Sequence, residues 1–389
     1  MFVDVELFSA DPLDNVIACL KFRFDKVIFF GDATESMDAV ACATVQRFLQ
    51  SERIGVQEVQ FVQLTDSGYP AVEQELTAAV QREQAAGNTC FIDITGGGEL
   101  ALAAVGMVST RQQVPLMMVD IDEDEVQLLA YPEQFDQLPS RNVYLRLEEF
   151  LHLQEGLIDW SRHKSQNEQI YSPEFAAYIV RLKQFIDRMG PEWNKVAMGL
   201  ANLSSGQQLQ IERVPSEIKR AAKVAHLNVP RLLACLEKLH RKHLLQDYVY
   251  DDFRLRFTFN SELEKELLCD CGAVLEHYVY CKVMARPEVD DCGIGYFLDW
   301  EGEGDPAYHT PDGEDVINEI DVVYMSKNIP TFISCKNKQV TTNQPLYELD
   351  TVADRFGGVH VHKVLFASGG VSPAVRNRAA EMGIRVVRR

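Results

Sequence analysis

Between Asn318 and Asn337 the chain reads NEIDVVYMSKNIPTFISCKN. Two β-rich runs of alternating polarity flank Ser326-Lys327-Asn328-Ile329, which specifies a β-hairpin. With those four residues as the turn, Met325 pairs with Pro330, Asp321 lies opposite Ser334, and Glu319 lies opposite Lys336. Strand side chains alternate between faces. Ile320, Val322, Tyr324, Thr331, Ile333 and Cys335 therefore share one mostly apolar face, and Glu319, Asp321, Ser334 and Lys336 share the other.

Opposite charges set across two strands form a surface pair worth well under ~1 kcal/mol. Here, however, Val323 and Phe332 lie on the same face, so the charges border a half-buried surface. Carboxylates near a lysine on two rigid strands suit metal-assisted phosphodiester hydrolysis. Mg²⁺ or Mn²⁺ takes hard oxygen ligands and keeps several waters. Such an ion activates water and neutralises charge growing on a phosphate, and a neighbouring ammonium group stabilises the transition state.

Asp321, a turn, then Ser334-Cys335-Lys336 resembles the D…(D/E)-x-K core of the PD-(D/E)XK nuclease superfamily. In that family a glutamate often comes from a preceding helix, and Glu276 in AVLEHYVYCKVM occupies that place. The resemblance implies that Asp321 and Glu276 hold the metal and that Lys336 assists the water. Ser334 stands where the family carries its second acid, and Glu319 or Glu348 are the substitutes at hand.

A chain of 389 residues has room for two or three cored domains. No apolar run approaches the ~18 residues of a membrane span. Nine cysteines without CxxC pairs fit a reduced cytoplasm. Cys269-Asp270-Cys271 and His360-Val361-His362 match no common zinc spacing. The net charge of −20 is unevenly spread. Residues 1–160 hold 9 basic and 27 acidic side chains, residues 161–261 hold 16 and 10, and residues 262–389 hold 13 and 21. Only the middle third is basic, as a nucleic-acid contact surface would be.

Residues 1–160 alternate short apolar strands with helices, the order of a parallel sheet with helices on both faces. KVIFFGD and CFIDITGGG read as buried parallel strands. Ligands in such sheets bind beyond the carboxyl ends of the strands. Three loops end there, and they supply Ser9, then Asp32 and Thr34, then Thr95, Gly96, Gly97 and Gly98. The last runs into a helix, where backbone N–H groups favour a phosphate. Further on, NVYLRL is expected to be a strand, followed by a helix from Glu148. The polar, basic SRHKSQN marks the first boundary.

A strand ending in Thr-Gly-Gly at the head of a helix resembles the CARF domains of CRISPR defence. Members dimerise and bind a cyclic oligoadenylate across the two-fold axis. Many follow Thr-Gly-Gly with Thr and Lys, whereas this chain has Gly98 and Glu99.

In 161–261, helices are expected over 173–189, 215–226 and 229–243, then two short strands about Asp251-Asp252. That is a winged helix-turn-helix pattern. Arg231, Lys238, Arg241, Lys242 and His243 lie on or just after its second helix, either as phosphate contacts or as the solvated face of a spacer. In 262–389 one helix is expected from Glu262 to about Ala285, carrying Glu276. The strand DCGIGYFLDW, an acidic loop EGEGDPAYHTPDGED, the hairpin, a helix over 345–356, a strand, a helix and a last strand follow. Arg376, Arg378, Arg385, Arg388 and Arg389 give the end a positive cluster.

In this order the three parts resemble CRISPR ancillary nucleases with a CARF sensor (1–160), a winged-helix connector (161–261) and a PD-(D/E)XK-like domain (262–389). The resemblance implies a homodimer activated by cyclic tetra-adenylate. It also implies a Mg²⁺- or Mn²⁺-dependent endonuclease cutting DNA, RNA or both, with no membrane association. Ser334 leaves open a ligand-controlled DNA-binding transcriptional regulator whose nuclease-like domain is inactive. A stand-alone repair nuclease with a mononucleotide-binding domain would act without the cyclic ligand.

Overall fold

In a computed structural model of the chain, every residue is described except 32–36, 65–68, 160–171, 205, 207, 252, 300–316 and 389, and the side chains of 99, 100 and 317. Asp32 and Thr34, the SRHKSQN connection and the acidic loop EGEGDPAYHTPDGED lie outside the described residues. The chain forms two compact units. One comprises 1–163, 287–332 and 347–363, and the other 164–286, 333–346 and 364–389.

The first unit is built on a six-stranded sheet. Its strands are β1 (Phe2–Leu7), β2 (Lys26–Gly31), β3 (Glu58–Gln63), β4 (Thr89–Asp93), β5 (Leu116–Asp120) and β6 (Glu125–Ala130), in the order β3-β2-β1-β4-β5-β6. All pairings are parallel except that of β6 with β5. The register puts Val5 beside Ile28 and Ile92. Val3, Val5 and Leu7 face one way, into a core with Val72, Leu76 and Val80 of the helix Tyr69–Ala85 and with Val105 and Val108 of the helix Glu99–Gln112. The opposite face carries Phe29 and Phe91 in edge contacts with Phe8 and Phe24. It also carries two acids, Asp4 and Glu6, on the same side of β1. Every residue of β2 is buried, as a strand covered on both faces requires.

NVYLRL is not a strand. Residues 141–146 make no ladder, and a helix, Leu147–Leu153, begins earlier than expected. The backbone groups of this segment find other partners. The Arg141 and Val143 amides donate to the carbonyls of Lys21 and Leu20. Those of Leu145 and Leu147 donate to the side chains of Asn328 and Asp291.

The hairpin forms as its pattern requires. β12 (Ile317–Ser326) and β13 (Ile329–Lys336) are joined by Lys327 and Asn328, both at positive φ (51° and 69°). This is the two-residue loop whose twist matches its strands. The second sheet also contains β7 (Leu157–Ile158), β11 (Asp291–Asp299), β14 (His362–Ala367) and β15 (Ile384–Val387). Its order is β15-β14-β13-β12-β11-β7.

The second unit starts with the helix Pro173–Met189, capped by Ser172, whose hydroxyl accepts from the Phe175 amide. A further helix, Glu192–Leu203, was not foreseen from the sequence, although Trp193, Val196, Leu200 and Leu203 are buried along it. The helices Pro215–Val224 and Val229–Arg241 follow. A three-stranded antiparallel sheet then orders β8 (Gln210–Arg213), β10 (Leu255–Thr258) and β9 (Gln246–Tyr250) as β8-β10-β9. Here β8 adds an unforeseen strand to the expected pair.

The long helix expected from Glu262 is two helices, Glu262–Cys269 and Ala273–Met284. The break lies at Asp270, whose backbone is extended. Its carboxylate accepts from the amides of Gly272 (2.7 Å) and Ala273 (3.4 Å). A short acidic side chain that bonds the backbone two residues on favours a turn and a new helix start over a continued helix.

Candidate functional site

Along β12, exposed Glu319 and half-buried Asp321 alternate with buried Ile320 and Val322. β11 runs antiparallel beside it, pairing Ile294 with Val322 and Tyr296 with Ile320, so Gly295 falls opposite Asp321. Gly295 has a φ of 64°, a left-handed conformation that side chains other than glycine adopt with difficulty. A Cβ added there would lie 3.8 Å from Glu319 Oε1. That is an ordinary contact, so the left-handed backbone, and not crowding, is what calls for glycine beside the β12 carboxylates. The same kink lays the Tyr296 ring over Gly293, where a Cβ would meet ring carbon at 1.7 Å. Residues three apart on a regular strand point to opposite faces, so this stacking requires the kink. The sequence reading took DCGIGYFLDW only as a strand. Two glycines inside a strand pattern were the available signal of a bulge or a close approach.

Because the expected long helix is broken, Glu276 lies in the first turn of Ala273–Met284. Its carboxylate folds back over Gly272, where a Cβ would be 2.7 Å from Oε1. The carboxylate thus sits at the positive end of the helix dipole. Half-buried Lys336 ends β13, and its carbonyl accepts from the Ser368 amide at 3.0 Å. The next residue, Asn337, donates its side-chain N–H to the Cys271 carbonyl (2.9 Å) and accepts from Ser368 Oγ (3.0 Å). Asn337 thus ties the strand end that carries Lys336 to the turn that opens the helix of Glu276. The sequence reading missed this residue. Glu348 is exposed on the helix Gln344–Phe356. Among the described residues, no group of three or more histidine, cysteine, aspartate or glutamate side chains is placed to hold a metal ion.

The first unit brings two of the three expected ligand loops together. Ser9 donates from Oγ to Asp14 Oδ2 and from its amide to Asn15 Oδ1, both at 2.7 Å. Thr95 donates from N and Oγ1 to Asp93 Oδ1 (2.9 and 2.6 Å) and accepts from the Val119 amide. A Cβ at Gly96 would be 2.8 Å from Ser9 Cβ, so glycine lets the loops touch. Gly97, at a φ of 113°, lies against Leu7 in the same way. Gly97 and Gly98 are exposed.

Beneath these loops lie buried acids. Burial and the neighbouring Asp93 hold Asp4 well above the usual carboxylate range, and burial with Asp4 and Asp93 does the same to Glu6. Burial raises Asp93 to about 7 and Asp14 to about 6, against the hydrogen bonds each accepts. An acid that burial holds uncharged repels an anion less than its carboxylate would. In the adjoining loop, Asp11 accepts from the Leu13 amide through Oδ1 and from the Val359 amide through Oδ2, both at 2.9 Å.

Residues 264–388 match the family model of the Card1-like endonuclease domain. Glu276, Glu319, Asp321, Lys336 and Glu348 all fall inside that match, and the loops of Ser9 and Thr95–Gly98 fall outside it. The resemblance to CRISPR ancillary nucleases drawn from the sequence is borne out.

The whole chain is similar in fold to protein VC1899 from Vibrio cholerae, with 19% identity and a TM-score of 0.74, covering 100% of this chain and 94% of that one. It is also similar to Can2 from Sulfobacillus thermosulfidooxidans, solved in complex with cyclic tetra-adenylate. That match has 18% identity and a TM-score of 0.62, covering 100% and 95%. A type III CRISPR defence DNA nuclease activated by cyclic oligoadenylate aligns with 15% identity and a TM-score of 0.50, covering 95% of this chain and 45% of that one. No curated protein matches the sequence. The fold of this chain thus recurs in a protein solved in complex with cyclic tetra-adenylate.

Proposed function

We propose that this chain is a cyclic oligoadenylate-activated, metal-dependent endonuclease of type III CRISPR defence, cutting DNA, RNA or both. The observation that carries the reading is the Card1-like endonuclease match over 264–388, which contains every hairpin residue singled out by its chemistry. Residues 1–160 act as the CARF sensor, 161–261 as a winged-helix connector and 262–389 as a PD-(D/E)XK-like nuclease. The protein works as a cytoplasmic homodimer, a setting in which its nine free cysteines stay reduced.

Mg²⁺ is commonly held by one or two protein carboxylates together with substrate phosphate, so this reading does not require a third clustered acid. Asp321 and Glu276 would hold Mg²⁺ or Mn²⁺, with Glu319 or Glu348 supplying the carboxylate that Ser334 lacks. When bound, the ion lowers the pKa of a water and offsets charge on the phosphate. Lys336 directs its ammonium group at the attacking water and at the phosphate oxygens, where charge grows in the transition state. The substrate backbone passes beside Gly295, next to the β12 carboxylates. Ser9 and Thr95–Gly98, with Asp32 and Thr34, contact the phosphates and ribose hydroxyls of cyclic tetra-adenylate. Backbone N–H groups at the start of the helix Glu99–Gln112 face the charge.

Ser334 favours a second reading, a ligand-controlled transcriptional regulator with an inactive nuclease-like domain. Labelled DNA and RNA incubated with Mg²⁺ or Mn²⁺, with and without cyclic tetra-adenylate, separate the two. Stimulated cutting that disappears in Lys336→Ala supports the enzyme. Sequence-specific DNA binding without cutting under any of these conditions supports the regulator, and cutting indifferent to the ligand removes the sensor role.

A further inference from the structure

The second unit holds a basic groove apart from the endonuclease residues. Tyr178, Arg181, Phe185 and Arg188 recur at three- and four-residue intervals along the helix Pro173–Met189, so they share one face. Facing them is the end of the helix Val229–Arg241. There His243 takes a left-handed conformation (φ 57°) and the Leu244 amide returns to the Leu239 carbonyl. This turn sets Lys242 and His243 against the first helix. Together the six side chains line a cavity of about 420 Å³ with Leu182 and Leu244 as its buried floor.

Arg181, Arg188, Lys242 and His243 are exposed, and none of them pairs with a carboxylate among the described residues. Other cations nearby are already committed. Arg231 pairs with Glu192, Arg241 pairs with Glu237, and the Lys238 ammonium lies 5.3 Å from the centroid of the Phe185 ring. Helix dipoles do not account for the set, because that effect fades within the last turn and Arg181 lies two turns before the end of its helix. A recognition helix reads base edges with its N-terminal residues, whereas this groove gathers at a C-terminal end. Unpaired cations interleaved with half-buried aromatic rings are the means by which proteins hold a single strand without reading its sequence.

We propose that this groove binds a single-stranded segment of nucleic acid, with phosphates on Arg181, Arg188 and Lys242 and bases against Tyr178 and Phe185. The proposal rests on the nuclease reading only for the identity of the strand as substrate. It gives the middle part a substrate-holding role in place of a passive spacer.

The test is fluorescence anisotropy of a labelled oligo-dT or oligo-U 12-mer with the full chain in EDTA, where cutting plays no part. Arg181→Gln, Arg188→Gln and Lys242→Gln combined weaken binding tenfold or more. They also lower the slope of log affinity against log salt by about 2, from three phosphate contacts at about 0.7 each. Lys219→Gln with Arg220→Gln, two exposed cations of the neighbouring helix, leaves both readouts within threefold. Unchanged affinity and slope in the triple variant overturn the groove. A blunt duplex bound more tightly than the single strand overturns its single-strand character. If the wild-type chain never cuts but the triple variant still loses binding, the groove stands and the nuclease reading falls. If cutting is strong and the triple variant binds normally, the nuclease stands and the groove falls.

Discussion

The amide of Leu145 donates to the side-chain oxygen of Asn328 at 2.7 Å, in a fully buried setting. Asn328 is the second residue of the loop that joins β12 to β13, so the tip of the hairpin is pinned by a segment preceding the helix Leu147–Leu153. Removing the acceptor leaves a buried N–H unpaired, at about 1–3 kcal/mol. Asn also tolerates the positive φ better than most residues. Asn328→Ala is therefore expected to lower the urea midpoint. Asn328→Gly, which keeps the backbone freedom but loses the bond, recovers only part of the loss.

Gly295 faces Asp321 across the β11–β12 ladder. Gly295→Ala forces a Cβ into a left-handed backbone beside Glu319, with a stability cost of about 1 kcal/mol or more. Cutting is expected to fall at least tenfold while the far-ultraviolet circular dichroism stays native. Cutting at the wild-type rate would show that this side of β12 is not approached by substrate.

Asn337 offers a way to separate positioning from chemistry. Asn337→Ala breaks the bonds to Cys271 and Ser368 and frees the end of β13, with a loss of about 1–3 kcal/mol. Asn337→Asp keeps the acceptor for Ser368 but loses the donor to Cys271. Both variants are expected to lower kcat with little change in KM, and both to need more Mg²⁺ for half-maximal rate. A change confined to thermal stability would leave Asn337 a purely structural tie.

The buried acids of the first sheet set a pH dependence. Asp93, at about 7, and Asp14, at about 6, both lie above their ordinary value of 3.8. Their protonated forms are the ones the fold prefers. Stability is therefore fully present below about pH 4 as far as these two groups are concerned. It is lost as pH rises through 6 and 7, at up to about 1.4 kcal/mol per pH unit for each group. Asp93→Asn keeps an oxygen for Thr95 and removes the ionisation. Its melting temperature relative to wild type is expected to be higher at pH 8 than at pH 5. The same ionisation places charge under the ligand loops, so wild-type affinity for cyclic tetra-adenylate should decline between pH 6 and 8, and Asp93→Asn should flatten that decline. Parallel pH curves for the two proteins would contradict the assignment.

Much of this architecture was legible where backbone pairs with backbone. The unbroken apolar runs of β2 and β4 announced a parallel sheet, and the alternation around Lys327-Asn328 announced the hairpin and its loop. The reading failed where a side chain takes over the pairing. Asp270 ends one helix and starts another, which moves Glu276 from mid-helix to a first turn. Asn328 and Asp291 occupy the amides of Leu145 and Leu147, so NVYLRL keeps a strand-like composition without forming a ladder. Of the site, the acids and Lys336 were visible by residue type. Gly295 and Asn337 were not, because their roles depend on neighbours far away in sequence.

Asp11 sits two residues beyond Ser9, and its two carboxylate oxygens serve different stretches of chain. One holds Leu13, at the head of the first helix, and the other holds Val359, just past the helix that bears Glu348. A molecule that re-seats Ser9 must therefore either stretch this shared anchor or drag Val359 with it. The path from the Ser9 loop to the helix that bears Glu348 is a single side chain long.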